Sequence, residues 1–198
     1  MWCAIRTYAE HAKELDNPVQ AQPIFFTKPM NCLFDGHHLP SHQVIEYHHE
    51  IELVVRLNQM GRPDAITVGI DFTDRNAQSK LRASQFPWAR GKSFMNSAMI
   101  GSWVVWDSDV ETLNQMNQLR LELHVNGELR QAAWTHEMSI PIVQQLEDLC
   151  QWAPIQEGDM VFTGTPSGVG QLQPNDEVQA TLKGANGEIL SQFSFTYG

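Results

Sequence analysis

A β-rich α+β domain with few, short helices is what the sequence predicts, and three observations carry that reading. Short runs of β-branched and aromatic residues recur between turn residues, an Asn-Gly pair splits two alternating runs, and segments with helical spacing are brief and scattered. In chain order, Thr7-Tyr8-Ala9-Glu10 has the form of a capping box. Tyr8, Ala12 and Leu15 follow at helical spacing, with Pro18 just beyond, which predicts a helix over Thr7–Leu15. A helix this short is marginal alone and would order on docking or on ligand binding. From Pro23 to Leu57, β-formers interrupted by Pro29, Asp35-Gly36 and Pro40 predict several short strands. Asp74–Ser84 reads as a second helix capped by Asp74.

The sharpest local signal is Asn126-Gly127 between Leu119–Val125 and Glu128–Trp134, a hairpin whose turn needs two residues tolerant of positive φ. Ser139 is expected to cap a third helix with Pro141 in its first turn and Ile140, Val143, Leu146 and Cys150 on one stripe. Strands Met160–Thr163, Glu177–Leu182 and Ile189–Phe195 close the chain. No internal repeat or linker divides it, and 198 residues suit one domain, expected to span residues 1–198.

Composition excludes several functions. Thirteen basic against 23 acidic residues, a net charge of −10, argue against nucleic acid as a partner. Cys3, Cys32 and Cys150 are odd in number and widely spaced, so neither a disulfide framework nor a thiolate zinc site is indicated. Charges at Glu10, Lys13 and Glu14 arrive before an apolar signal core could form, and no stretch is long enough to span a bilayer. A cytoplasmic location without membrane attachment is therefore expected.

Several residue groups carry chemistry. Glu50 and Glu52 stand two apart in His49-Glu50-Ile51-Glu52-Leu53-Val54-Val55, so on a strand they share a face, roughly 7 Å from each other. Either that face is solvated, or it is buried and a divalent cation offsets the repulsion, with Asp71 as third oxygen ligand. Thr163-Gly164-Thr165-Pro166-Ser167-Gly168-Val169-Gly170 reads as a plain turn or as a loop whose N–H groups cradle an oxyanion. Lys92 is either a surface lysine or a partly buried cation aimed at a substrate anion. His11 and Glu14, one helical turn apart, are either surface decoration or a base with its orienting carboxylate. The adjacent pairs His37-His38 and His48-His49 point apart and do not make a facing set of zinc ligands.

Taken in order, Tyr8-Ala9-Glu10-His11, Phe26-Thr27-Lys28-Pro29, His49-Glu50-Ile51-Glu52-Leu53, Asp71-Phe72-Thr73-Asp74-Arg75-Asn76-Ala77-Gln78, Lys92-Ser93-Phe94, Val125-Asn126-Gly127-Glu128, Glu157-Gly158-Asp159 and Thr163–Gly170 resemble the fumarylacetoacetate hydrolase family. The likeness is greatest to its small single-domain acylpyruvase and oxaloacetate-processing branch. The resemblance implies a mixed β-roll catalytic domain, a homodimer, and Mg²⁺ or Mn²⁺ on Glu50, Glu52 and Asp71. It also implies a lid helix within residues 1–20 carrying His11 and Glu14, and substrate contacts from Arg75, Gln78, Lys92, Gly164 and Thr165. The connection Gly61-Arg62-Pro63-Asp64-Ala65 is shorter than the family pattern, which bears on substrate choice.

The chemistry implied is enolate chemistry on a 2-oxo acid. The leading expectation is C–C cleavage of an acylpyruvate to pyruvate and a carboxylic acid. In that scheme His11 and Glu14 activate water, Lys92 and Gln78 hold the oxyanion, and Thr165 with the loop N–H groups grips a carboxylate. Oxaloacetate tautomerisation or decarboxylation, isomerisation of an unsaturated dicarboxylic acid, and a degenerate metal-stabilised binding module are the alternatives.

Overall fold

A computed structural model of the chain describes residues 1–14, 20–107 and 109–198. In chain order the first elements are β1 (Trp2–Ala4), α1 (Ala9–Glu14), β2 (Phe25–Thr27), β3 (His38–Leu39), β4 (Tyr47–His49), β5 (Ile51–Leu57), β6 (Pro63–Asp71) and β7 (Thr73–Asp74). Next come α2 (Arg75–Ala83), α3 (Ala89–Lys92), β8 (Ala98–Ile100), β9 (Val104–Val105), α4 (Val110–Gln115), β10 (Arg120–Val125) and β11 (Glu128–Trp134). The last are α5 (Ile142–Trp152), β12 (Met160–Phe162), β13 (Gly170–Gln171), β14 (Asp176–Lys183) and β15 (Ile189–Tyr197). Among the described residues no helix is long and apolar enough to cross a membrane.

The largest sheet runs β2-β1-β12-β5-β6-β8, with β9 also on β6; the second runs β11-β10-β14-β15-β3, and β13-β4-β7 forms a small third. This is the α+β, mixed-sheet architecture expected from the sequence. The β10–β11 hairpin closes through Asn126 and Gly127, at φ 53° and 77°. Such angles suit Asn and Gly and strain most other residues.

The strand pair β5–β6 places the candidate site. Ile51 lies opposite Ile70, Leu53 opposite Val68 and Val55 opposite Ile66, and all six join one core with Leu121, Leu123, Val178 and Leu182 of the second sheet. Burying each such side chain is worth about 1.5–3 kcal/mol. A slip of one residue would swap these side chains for Glu52 and its neighbours on the other face, so the register is strongly specified. The opposite face of β5 carries Glu52 and Val54, the latter packed with Cys3, Cys32 and Phe162. Gly69 faces Glu52 across the pair, and a Cβ there would lie 2.5 Å from Val54 Cγ2.

Three helix expectations need correction or restriction. The first helix begins at Ala9, and Thr7 does not cap it: the Thr7 hydroxyl donates to Thr163 O at 2.7 Å, while Glu10 pairs with Lys13. A buried threonine with a tertiary acceptor at hand satisfies its hydroxyl there rather than locally. Leu15 and Pro18, on which that helix's C-terminal limit rests, lie outside the described residues. The third helix begins at Ile142 with Pro141 before it, and the Ser139 hydroxyl donates to Thr7 O at 2.9 Å. That later start rotates the buried stripe to Ile142, Gln145, Leu146 and Leu149 and leaves Cys150 exposed.

The second helix does form as expected, with Asp74 Oδ1 accepting from Ala77 N at 3.0 Å. That cap sets the phase of α2, so Arg75 and Gln78 rise one turn apart on one face. The short α3 docks on α2 through Gly91, where a Cβ would meet Gln78 N at 2.7 Å. Gly91→Ala should therefore push α3 off α2, cost about 1–3 kcal/mol in urea denaturation and displace Lys92. Unchanged stability would show that the two helices yield freely.

Candidate active site

Register brings the three acids together. Asp71 N donates to Glu50 O at 2.9 Å, so these residues face each other across β5 and β6, with Glu52 two residues along the same face. One carboxylate oxygen from each of Glu50, Glu52 and Asp71 lies within 4.8 Å of the others, and all three residues are buried. The reading of a buried shared face thus prevails over that of a solvated one.

Two lysines lie against this acidic face. Lys92, only 3% exposed, donates to Glu50 Oε2 at 2.7 Å, Asp71 Oδ2 at 2.6 Å and Thr73 Oγ1 at 2.6 Å. Lys28 lies 2.7 Å from Asp71 Oδ1, but it spends its protons on the carbonyls of Phe72 at 3.1 Å, Ser97 at 2.7 Å and Lys92. Asp71 Oδ1 is consequently buried without a hydrogen bond. Arg75 donates to Glu50 Oε1 and, at 2.8 Å, to Gln78 Oε1.

The charges respond to these neighbours. Burial works to raise Glu50, but Lys92, Arg75 and His11 outweigh it and hold the carboxyl below its usual range. Glu52 goes the other way: burial and the adjacent Asp71 charge push it well above the usual carboxylate range, Lys92 opposing. Burial alone would lower Lys92, yet Asp71 and Glu50 raise it above its ordinary value. A triad of hard oxygen donors, in which Asp71 Oδ1 accepts no hydrogen bond and Glu52 is reluctant to ionise, fits a hard divalent cation, which would restore the charge balance.

His11, Glu50, Glu52, Asp71, Arg75, Gln78, Lys92 and Thr165 all line one cavity of about 350 Å³. Glu14 and Gly164 sit behind it. Glu14 Oε2 lies 3.1 Å from His11 Nδ1 and its Oε1 accepts from Gly168 N at 3.0 Å, while Gly164 N donates to Glu52 Oε2 at 2.7 Å. The glycine loop does cradle anions, but the N–H groups of Gly164 and Gly168 are spent on the protein's own carboxylates. Gly164, at φ 95°, also passes so close to Thr7 that a Cβ would meet its hydroxyl at 2.0 Å. Lys92 likewise has each proton taken, where the sequence reading aimed it at a substrate oxyanion.

Two residues escaped the sequence reading. Lys28 stood in a quoted motif without a role; its signal was a lysine two residues after Phe26 at the end of a short β run. Gln131, 1% exposed, joins His49 and Ile51 N to Thr165 and Pro166. Its signal was a polar residue at an inward position of β11.

Comparison with known proteins gives the family. The fumarylacetoacetate (FAA) hydrolase C-terminal model matches residues 1–192, and the chain belongs to the fumarylacetoacetate hydrolase family. It is an enzyme of that family, which sets aside the binding-module alternative. The chain is 32% identical to mouse (Mus musculus) mitochondrial oxaloacetate tautomerase FAHD1, over 92% of this chain and 86% of that protein. It is 33% identical to oxaloacetate tautomerase YcgM of Escherichia coli K12, over 92% and 87%. Among solved structures, fumarylpyruvate hydrolase from Pseudomonas aeruginosa, in complex with Mn²⁺ and pyruvate, matches with TM-score 0.86 and 28% identity over 99% of this chain and 88% of that one.

Two outcomes follow from the charge cluster. Lys28→Met should destabilise the fold by about 3–5 kcal/mol in urea denaturation, because three carbonyls and Asp71 lose their shared cation. A saturating excess of Mn²⁺ should raise the melting temperature, and Glu52→Gln should abolish that shift. An equal shift in the variant would remove Glu52 from the ligand set.

Proposed function

We propose that the protein is a divalent-metal-dependent oxaloacetate keto–enol tautomerase, with Mg²⁺ or Mn²⁺ held by Glu50, Glu52 and Asp71. The observation that carries this is the contrast between an intact proton-transfer pair and donors already committed. His11 stands in the cavity with Glu14 behind it, whereas Lys92, Gly164 and Gly168 give their protons to protein acceptors and leave Gln78 as the remaining expected oxyanion donor. Tautomerisation moves one proton between C3 and the 2-oxo oxygen, where a bound cation would offset the developing charge. Hydrolysis of an acylpyruvate also needs donors for the oxyanion of a tetrahedral intermediate. The similarity to oxaloacetate tautomerases of animals and bacteria supports the same choice, so the acylpyruvate reading becomes the second one.

In the proposed mechanism, Glu14 accepts from His11 Nδ1–H, which fixes the tautomer and leaves Nε2 as the base. His11 takes the C3 proton of the keto form and returns it to oxygen. Arg75, anchored by Glu50 and Gln78, faces substrate carboxylate, and Thr165 offers its hydroxyl. When bound, the cation supplies Lewis-acid polarisation of the 2-oxo group. The whole chain acting as one catalytic domain, a lid role for α1, a homodimer and a cytoplasmic setting belong to this reading; the family match over residues 1–192 supports the first.

Metal-stripped protein assayed with oxaloacetate and with acetylpyruvate, each with and without Mg²⁺, tests it. Expected is metal-dependent loss of oxaloacetate enol without matching pyruvate, reduced about 10²–10⁴-fold by His11→Gln. Stoichiometric pyruvate from acetylpyruvate, with no effect on oxaloacetate, would transfer the assignment to hydrolysis.

A further inference from the structure

The buried amide of Gln131 has its orientation dictated by neighbours that cannot reverse roles. Ile51 N, a donor, lies 3.1 Å from Gln131 Oε1, and Pro166 O, an acceptor, lies 3.0 Å from Nε2. The amide can therefore stand only one way round. Oε1 is 2.9 Å from His49 Nδ1, which must then donate. The remaining Nε2 proton goes to Thr165 Oγ1 at 2.9 Å.

The consequence falls on Thr165. Thr165 is 3% exposed and lines the cavity; its hydroxyl accepts from Gln131 and, among the described residues, donates to no protein acceptor. A hydroxyl that accepts from an amide N–H cannot aim its own proton back at that amide, so the proton turns elsewhere. We propose that Gln131, on the sheet opposite the acidic strands, is a positioning residue that turns the Thr165 hydroxyl proton into the cavity and so favours an anionic oxygen of the substrate there. Gln131 also ties Ile51, between the two glutamates, to the loop that carries Thr165, setting that donor relative to Glu50 and Glu52. The assignment rests on the proposed substrate-side role of Thr165.

Substitution by a carboxylate reverses the polarity at nearly constant shape. In Gln131→Glu an acceptor replaces the donor, so the Thr165 proton turns inward to it and the Pro166 carbonyl loses its partner. Pyruvate serves as the probe: broadening of its methyl resonance by Mn²⁺-loaded protein reads an apparent dissociation constant, independent of any reaction. Gln131→Glu and Thr165→Val should each weaken pyruvate about tenfold, the scale of one hydrogen bond to a charged group. The double variant should be no weaker than either single one, since both remove the same donated proton. Thr165→Ser should keep wild-type affinity, and Mn²⁺ affinity should be unchanged throughout, which a merely structural defect would not achieve.

With oxaloacetate the loss should fall on KM rather than kcat. Losses that multiply in the double variant, or wild-type pyruvate affinity in Gln131→Glu, would overturn the assignment. If Gln131→Glu does not fold, Gln131→Met takes its place in the same cycle. The two readings fail separately: coupled pyruvate binding without oxaloacetate turnover would overturn the tautomerase and uphold Gln131, and turnover with uncoupled binding would do the reverse.

Discussion

Three carboxylates buried on one face of the β5–β6 pair are the constraint on which the surrounding structure depends. Isolated charges in such a place would cost several kcal/mol each, so the fold must supply cations or neutralise the acids. It supplies Lys28 and Lys92 by bringing β2 and α3 to the strand face, and Arg75 by capping α2 on Asp74. Glu52 is left as the acid with the least compensation. That imbalance leaves a triad whose chemistry fits a hard cation, unlike a closed ion-pair network.

The loop over residues 163–170 distributes the consequences. One end holds Glu52 through Gly164, the middle presents Thr165 under the control of Gln131, and Gly168 holds Glu14, which in turn holds His11. Glu52, Thr165 and the His11–Glu14 pair are therefore tied to one backbone segment. Gly168 can serve because a Cβ there would meet Arg130 O at 2.1 Å, so the loop lies directly on β11.

Much of this was legible in the sequence because the signals were local. The Asn126-Gly127 turn, the Asp74 cap and the alternation of Glu50 with Glu52 each follow from backbone geometry within a few residues. Where readings failed, a distant partner had outbid a local one. Thr7 and Ser139 look like caps, yet their hydroxyls meet Thr163 O and Thr7 O across the fold. Lys28 and Gln131 were passed over because their value comes from what surrounds them: three carbonyls and Asp71 for one, the two sides of the cavity for the other.

By itself the sequence determined the α+β class, the family and the identity of the three acids, since strand period and ordered motifs are properties of the chain. The tertiary structure alone decided what each donor does. The Lys92 protons and the glycine N–H groups could have faced a substrate, but the buried acids lie nearer and must be satisfied first, because an unpaired charge in the interior costs more than a weakened contact with a ligand. That order of need commits the Lys92 protons and the Gly164 and Gly168 N–H groups to the protein's own oxygens.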